Sequence, residues 1–448
     1  MDTYTMTART GDGAVHPSRQ GRVCRQKEAL MRWLAGAAVS LALAAVVAVS
    51  WVGRASAAEV NGIWTEPTTK DIGELTGNDF FKGWKIRGWA ESYYVYNFNT
   101  PDTDVANANQ GLSAIKSRNL TVEGRTFDVQ HNRPKLGILE VELEKVPEMS
   151  GWLDPKAFGF KLDVNYGETY DIIFNTVRAS LGKDVLWDGD RYLSHYSLGY
   201  VVPIGKGLRV DFGKLVTHIG GETIESIKNN NFSHGYLYSY AIPFQDFGFR
   251  LNYPVTDTIT AEFYGLQGWN VTYKDNNTGK TVGPAISWAP SPKLSMYANY
   301  LVGPEQKDNN GNFRHLLDVG LAYNPIDPLN FLVSADLGYE QEALGKDKNA
   351  RWDGAFIVAR YKVTDKFEPA LRAEIYDDKD GFTTGVAQTV GAVTLTLNYR
   401  IDLPGQTHLL LRPEYRFEAS DHNFFSENKA FRSERNQQTV GLGTVLYF

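Results

Sequence analysis

The feature that most limits the fold of this chain is an alternation of apolar and polar residues, which recurs in segments of about ten residues. In "LEVELEK" (139–145), Leu139, Val141 and Leu143 alternate with three glutamates, and "LRPEYRFE" (411–418) repeats the pattern. A period of two predicts a β-strand with two chemically different faces. A soluble sandwich would show the same alternation, so the number of segments and the order of their connections must decide between the two folds.

Segments of this kind follow one another along the chain and predict sixteen strands. They lie at 84–97, 135–145, 158–166, 191–202, 208–217, 246–254, 258–269, 281–289, 294–302, 314–324, 330–341, 352–363, 366–377, 388–401, 408–419 and 439–448. The even-numbered links are mostly short turns rich in Pro, Asp and Gly, whereas the odd-numbered links are longer and more polar on average. Short turns on one rim and long loops on the other are typical of an outer-membrane barrel.

We therefore predict an all-β fold, a closed antiparallel transmembrane β-barrel of about 16 strands with short periplasmic turns and longer extracellular loops. After residue 57, no stretch of the sequence suggests an amphipathic helix with apolar residues at three and four spacing. Aromatic residues near strand ends are expected to form girdles at the two membrane interfaces. These are Trp84, Trp89, Tyr94, Tyr96, Trp269, Tyr323, Tyr361 and Tyr399.

The beginning of the chain predicts a secretory signal peptide. Residues 33–52 carry no charge, and Ala55-Ser56-Ala57 forms a small-x-small cleavage pattern. An inner-membrane anchor is the alternative, because an apolar run of about 20 residues could span a bilayer. The predicted organisation is a signal peptide at 1–57 with Met31 as a candidate true start, a periplasmic N-terminal segment at 58–82, and an outer-membrane β-barrel at 83–448.

Charge and cysteine content exclude several classes of function. The chain has 46 Lys and Arg against 52 Asp and Glu, and residues 1–57 hold seven of the former and three of the latter, so the rest has a net charge of −10. An acidic balance argues against nucleic acid as a partner. The single cysteine, Cys24, lies in the predicted signal peptide, so we expect no disulfide and no thiolate site after cleavage.

Motifs that would carry catalysis are missing from the sequence. It has no HExxH, no phosphate loop ending in GK[ST] and no GxSxG. The histidines are scattered without ligand spacing, and turn chemistry explains the Asp- and Asn-rich stretch 275–279 better than calcium does. We therefore expect no catalytic residue, no metal and no cofactor, and keep a hydrolase that uses loop or lumen acids as a minor alternative.

The end of the chain, "TVGLGTVLYF" (439–448), stops inside an alternating pattern with an aromatic as its last residue. A soluble domain usually ends in a polar tail, so a strand that runs to the last residue suggests that its edge is paired. In a closed barrel the last strand pairs with the first and no edge is left open. The terminal strand is therefore expected to close the barrel.

Several stretches resemble the OmpL-like outer-membrane β-barrel porins. They are "IRGWAESYYVYNFNTP" (86–101), "GYVVPIGKGLRVDFGKLVTHIGGETIES" (199–226), "YAIPFQDFGFRLNYPVTD" (240–257), "GLQGWN" (265–270) and "GPEQ" (303–306). The resemblance covers most of the chain after residue 82 and implies a β-barrel that forms a diffusion channel. It also implies that Phe448 is the C-terminal signal read by the outer-membrane assembly machinery. His218 departs from the pattern, because a proline is expected at that position.

Polar residues on the charged parity of the strands are expected to line the lumen. They are Glu140, Glu142, Glu144, Lys161, Asp163, Arg209, Asp211, Arg360, Arg372, Arg400, Arg412, Glu414 and Arg416. The link between the fifth and sixth strands holds apolar and acidic residues together, and we expect it to fold inward, as third loops do in the sixteen-strand porins that this chain resembles. Glu222 and Glu225 would then form the pore constriction, opposite a basic wall of arginines from later strands. A loop folded over the outer rim is the alternative.

These features predict an outer-membrane porin, a water-filled channel for passive diffusion of small hydrophilic solutes or ions. The expected partners are outer-membrane lipid, the outer-membrane assembly machinery and the solutes themselves, with a homotrimer left open. The main alternative is a structural or adhesive barrel that acts through its extracellular loops.

Overall fold

The computed structural model describes residues 69–102, 122–182 and 185–448. The predicted signal peptide and residues 58–68 lie outside the described residues. Most of the described chain forms long strands, numbered here as β1 (Trp84–Asn97), β2 (Lys135–Lys145), β3 (Phe158–Tyr166), β4 (Leu193–Val202), β5 (Leu208–Val216), β6 (Gln245–Pro254), β7 (Ile259–Leu266), β8 (Thr281–Ser291), β9 (Leu294–Pro304), β10 (Phe313–Ile326), β11 (Leu329–Glu340), β12 (Ala350–Tyr361), β13 (Phe367–Asp378), β14 (Gln388–Leu403), β15 (Thr407–Ser420) and β16 (Asn436–Tyr447).

The sixteen strands form one closed antiparallel barrel, as the sequence predicted. Each strand pairs with its neighbours in chain order, and β16 pairs with β1 from Tyr447 opposite Trp89 to Thr439 opposite Asn97. The observed strand ends lie within a few residues of those predicted from the alternation. A short hairpin, Phe425–Glu427 with Ala430–Glu434, occupies the last long loop.

The two faces of the strands differ as a membrane barrel requires. On β14, Thr394 and Thr396 are fully buried, whereas Val393 and Leu395 are exposed on the outer face. An outward apolar band faces lipid, while the inward polar face lines the lumen. Two of the aromatic residues expected in the girdles, Trp89 and Trp269, are instead buried. Trp89 lies on the inward parity of β1, which alternation alone already indicated.

The described residues contain two α-helices, α1 (Ile72–Thr76) before β1 and α2 (Glu168–Leu181) between β3 and β4. Within the described residues, no helix combines the length and the apolar character needed to cross a bilayer. The expectation that the chain contains no amphipathic helix is wrong for α2. Its apolar residues Tyr170, Ile173 and Val177 follow three and four spacing and are buried.

Phe448 and the N-terminal segment complete the join between β16 and β1. The Phe448 N–H donates to the Gly88 carbonyl oxygen at 3.1 Å, and a β-carbon at Gly88 would lie 2.9 Å from the Phe448 ring. Beyond Phe448, the edge of β1 is paired by a two-residue strand, Lys70–Asp71. Lys70 Nζ lies 5.1 Å from the centre of the Phe448 ring. This part of the N-terminal segment therefore extends the barrel wall at the join.

Deleting Phe448 is expected to slow assembly and to leave aggregates in the periplasm. The truncated chain loses the ring that packs against Gly88 and the hydrogen bond to that strand, together with the proposed assembly signal. The measurement is the yield of folded protein in isolated outer membranes under strong expression, with Phe448→Tyr as the control that keeps an aromatic ring. A normal yield of the truncated chain would show that Phe448 carries no signal.

Candidate pore constriction

Residues 217–244, which join β5 to β6 and are called the inward loop below, cross the lumen of the barrel. The Gly220 N–H donates to Asp318 of β10 at 2.7 Å. Further along the loop, the Ile227 N–H and the Ser226 hydroxyl donate to Glu91 of β1 at 3.0 and 2.7 Å. Because β1 and β10 stand on opposite sides of the ring of strands, the loop reaches from one wall to the other.

Three buried arginines of the wall hold the inward loop by its backbone carbonyl oxygens. Arg372 of β13 donates to Ser233, Arg412 of β15 donates to Asn229, and Arg416 of β15 donates to His234, each at 2.7 Å. A guanidinium offers five donors in a fixed fork, which suits several carbonyl oxygens of one loop at once. These arginines therefore fix the path of the loop.

Wall carboxylates complement the arginines by accepting from the loop N–H groups. Glu414 accepts from the N–H groups of Phe232 and Ser233 at 3.0 and 3.2 Å, and Glu374 accepts from that of Tyr236 at 2.6 Å. Hydrogen bonds to charged groups are stronger than neutral ones, and a buried carboxylate left without them would be costly. The backbone of the loop is therefore bound both by positively charged arginines and by negatively charged glutamates of the wall.

The two acids predicted to form the constriction lie on this loop and are almost fully buried. Glu222 forms an ion pair with Arg372 and also accepts from the Gly235 N–H at 2.7 Å. Glu225 accepts from the Tyr170 hydroxyl of α2 at 3.0 Å and lies 3.3 Å from Lys228 Nζ. The expected arrangement, with arginines facing these acids across the pore, is wrong for Arg372, because it touches Glu222 directly.

A second charged cluster ties the loop to β2 and β3. Oxygens of Glu140, Glu142 and Asp163 lie within 4.8 Å of one another, and all three side chains are buried. Lys228 Nζ of the loop donates to Glu142 at 2.7 Å, and Lys161 lies 3.3 Å from Asp163. The basic side chains offset part of the acidic charge, which makes this cluster a second anchor of the loop.

Burial and neighbouring charges shift the pKa values of two loop residues in opposite directions. Burial opposes the charge of Lys228, but the carboxylates of Glu225 and Glu142 outweigh it and raise the pKa of the amine above its usual value. Burial lowers the pKa of His234 to about 4, so this imidazole is neutral at neutral pH. The loop thus carries a fixed positive charge at Lys228 and none at His234.

Other long loops also enter the extracellular half of the lumen. Arg125, in the link after β1, lies 3.2 Å from Glu418 of β15, and the Phe127 ring packs 4.8 Å from the His234 ring. Side chains of α2 join the same apolar cluster as Ile224 and Ile227 of the inward loop. Sequence reasoning noted the apolar residues of the inward loop but missed their packing against α2, for which the three and four spacing in α2 was the readable signal.

The remaining predicted lumen residues lie nearer the short-turn rim, and all of them except the buried Asp211 are partly exposed. Asp211 accepts from Arg250 at 2.6 Å and lies 2.9 Å from Arg209. Arg360 pairs with Glu368 at 3.5 Å, and Arg400 pairs with Asp402 at 3.0 Å. Glu144 has the same parity on β2 and is also partly exposed. Charged side chains of both signs therefore line the barrel on the periplasmic side of the inward loop.

A closed barrel of this size, with a charged inner face and a long loop folded into the lumen, defines a porin-type barrel of the outer membrane. The family model described as "Putative beta-barrel porin-2, OmpL-like" matches residues 83–448, and the chain belongs to that family. The protein is therefore a channel-forming porin located in the outer membrane.

Several solved outer-membrane barrels are similar to this chain at low sequence identity. An anion-selective porin from Comamonas acidovorans is 11% identical with a TM-score of 0.50, and the match covers 82% of this chain and 99% of that one. The outer membrane channel DcaP of Acinetobacter baumannii and the OmpT protein of Vibrio cholerae are each 11% identical with TM-scores of 0.49, over 82% of this chain and 98% of theirs. A search of the curated proteins found no match.

Proposed function

We propose that the channel carries small hydrophilic solutes or ions by passive diffusion, and that the inward loop with Glu222 and Glu225 forms its constriction. The observation that carries this proposal is the set of hydrogen bonds between the loop and strands β1, β10, β13 and β15. A loop bound to opposite walls narrows every path between the two rims. Charges at such a narrowing act on a passing ion through a low local dielectric.

The sign of the selectivity follows from the charges next to the loop. Glu222 neutralises Arg372, and Glu225 neutralises part of the charge of Lys228. If both carboxylates became amides, two negative charges would be lost, while the Gln oxygens could still accept hydrogen bonds and Arg372 and Lys228 would keep Glu374 and Glu142 as counter-charges. The loop would then stay in place, and the local field would become more positive. The constriction would then favour anions more than the wild type does.

Changing Glu222 and Glu225 together to Gln is expected to shift the reversal potential in a salt gradient toward anion selectivity and to change the single-channel conductance. Glu427→Gln, an exposed carboxylate in the hairpin of the last loop, is the control and should leave both unchanged. Heat-dependent mobility in gel electrophoresis verifies that the variants fold. If a folded double variant keeps the wild-type reversal potential and conductance, Glu222 and Glu225 do not line the constriction.

The proposal includes two partners beyond the solutes. Outer-membrane lipid would contact the apolar outer face, and the assembly machinery would bind the strand that ends at Phe448. It assigns no catalytic step, since Glu222, Glu374 and Glu414 are engaged in holding the loop. The homotrimer left open by the sequence stays a prediction, tested by light scattering of the purified protein.

A further inference from the structure

Exposed apolar side chains cluster on segments outside the strands, beside the periplasmic ends of β1 to β4. In the N-terminal segment, Leu75 is 62% exposed and Phe80 is 72% exposed. In the link between β2 and β3, Trp152 is 66% exposed and Leu153 is 79% exposed. These values exceed those of most apolar side chains on the lipid-facing strands, so the two segments need a covering environment of their own.

The N-terminal part of this surface is held against the barrel by backbone pairing and by one carboxylate. Lys70–Asp71 pairs with β1, and the Asp71 carboxylate accepts from the N–H groups of Gly73 and Gly83 at 2.8 Å each. One side chain thus closes residues 71–83 into a fixed loop. Leu75 and Phe80 project from that loop in a set orientation, which limits the entropy lost when they are covered.

An aromatic chain joins this loop to the lipid-facing wall. The Phe80 ring lies 5.9 Å from Trp84, and the Trp84 ring lies 4.8 Å from Phe160 of β3. Phe160 has the outward parity of β3, as does Phe158 two residues earlier. The exposed loop is therefore continuous with the surface that faces lipid.

The link between β2 and β3 reaches the same surface from its other side. The Phe158 ring lies 4.6 Å from Tyr200 of β4, and the Leu153 N–H points to the Tyr200 hydroxyl at 3.5 Å. This link is the longest on the periplasmic rim. Its extra length carries Trp152 and Leu153 beyond the strand ends, next to the lipid-facing aromatic residues.

We propose that residues 72–84 and 146–157 form an interfacial anchor, which inserts Leu75, Phe80, Trp152 and Leu153 into the headgroup region of the periplasmic phospholipid leaflet. Tryptophan and phenylalanine favour this depth because their rings are large and apolar, and loops with such residues lie in the interface plane. On one side of the barrel, next to β1 to β4, the anchor would extend the aromatic girdle formed by the strands. It keeps the described part of the N-terminal segment on the wall and out of the lumen.

The charges around the anchor nearly balance, so the anchor would bind lipid mainly through apolar contacts. Exposed Lys82 and Lys156 are matched by exposed Glu74, Asp79 and Glu148. With acids and bases this close in number, attraction to anionic lipid contributes little. The anchor is thus expected to bind zwitterionic and anionic bilayers alike.

Single-cysteine labelling tests the anchor cleanly, because Cys24 is the only cysteine of the chain. In the full chain carrying Cys24→Ser, Phe80→Cys and Leu153→Cys each receive an environment-sensitive fluorophore. Asp365→Cys, in the turn between β12 and β13 where the native side chain is 86% exposed, is the matched control. The labelled proteins are reconstituted into phosphatidylcholine vesicles with and without phosphatidylglycerol, and folding is verified by heat-dependent gel mobility.

Nitroxides attached to the lipid headgroup or high on the acyl chain should quench labels at 80 and 153 several-fold more than the label at 365. Aqueous iodide should show the reverse order, in both lipid mixtures. If iodide reaches positions 80 and 153 as readily as 365, the anchor lies in water and the proposal is wrong. If neither quencher reaches them, a protein surface covers the anchor, which also overturns the proposal.

Discussion

Replacing Arg372 by Met is expected to release the inward loop from the wall, to expose it to protease and to raise the single-channel conductance. Arg372 binds Glu222, Glu374 and the Ser233 carbonyl oxygen in the barrel interior, and it is fully buried. Methionine of similar length would leave the Glu222 carboxylate without its counter-charge, whereas Glu374 would still pair with Arg416. Removing one partner of a buried ion pair costs about 3–5 kcal/mol, which is enough to favour the detached loop.

Limited proteolysis and single-channel recording of the same preparation measure the two effects. Arg400→Met is the matched control, since Arg400 also lies on the inward parity but pairs with Asp402 near the rim and is 26% exposed. Exposed pairs contribute at most about 1 kcal/mol, so this variant should resemble the wild type. An Arg372→Met protein with a protected loop and unchanged conductance would mean that the arginine does not hold the loop.

Ile286→Arg is expected to destabilise the barrel strongly, whereas Ser287→Arg on the same strand is not. Ile286 lies near the middle of β8 and is 49% exposed on the outer face. A charged side chain that faces lipid at the bilayer midplane costs about 2–4 kcal/mol. Ser287 has the inward parity and is only partly buried, so an arginine there can reach lumen water.

Urea unfolding in lipid vesicles, followed by tryptophan fluorescence, gives the free energies of unfolding of both variants. The neighbouring positions share strand, depth and introduced side chain, so the difference between them isolates the face of the strand. Equal destabilisation by the two changes would mean that β8 does not separate lipid from lumen.

The strands could be predicted from the sequence because the membrane imposes the alternation directly. Every residue of β14 or β15 faces either lipid or the lumen, and each environment selects its own side chains. Trp89 is an example of a residue whose orientation follows from the alternation but not from its residue type. The parity of β1 indicated that Trp89 points inward, but its aromatic character alone suggested a girdle.

The contents of the lumen could not be predicted in the same way. Parity shows that Arg412 and Glu414 face inward, but not that a loop from β5 meets them with its backbone. That contact depends on the path of the inward loop across the lumen, which alternation does not encode. The apolar cluster around α2 was missed for the same reason, since its partners come from several loops.

The single-channel conductance in planar bilayers tests the central claim most directly, namely that the inward loop narrows a conducting pore. The comparison is between the wild-type protein and a variant in which residues 222–240 are replaced by a short Gly-Ser link. We predict that both proteins conduct in discrete steps and that the shortened variant shows the larger conductance. Absence of conductance in both folded proteins, or equal conductance in the two, would contradict the account.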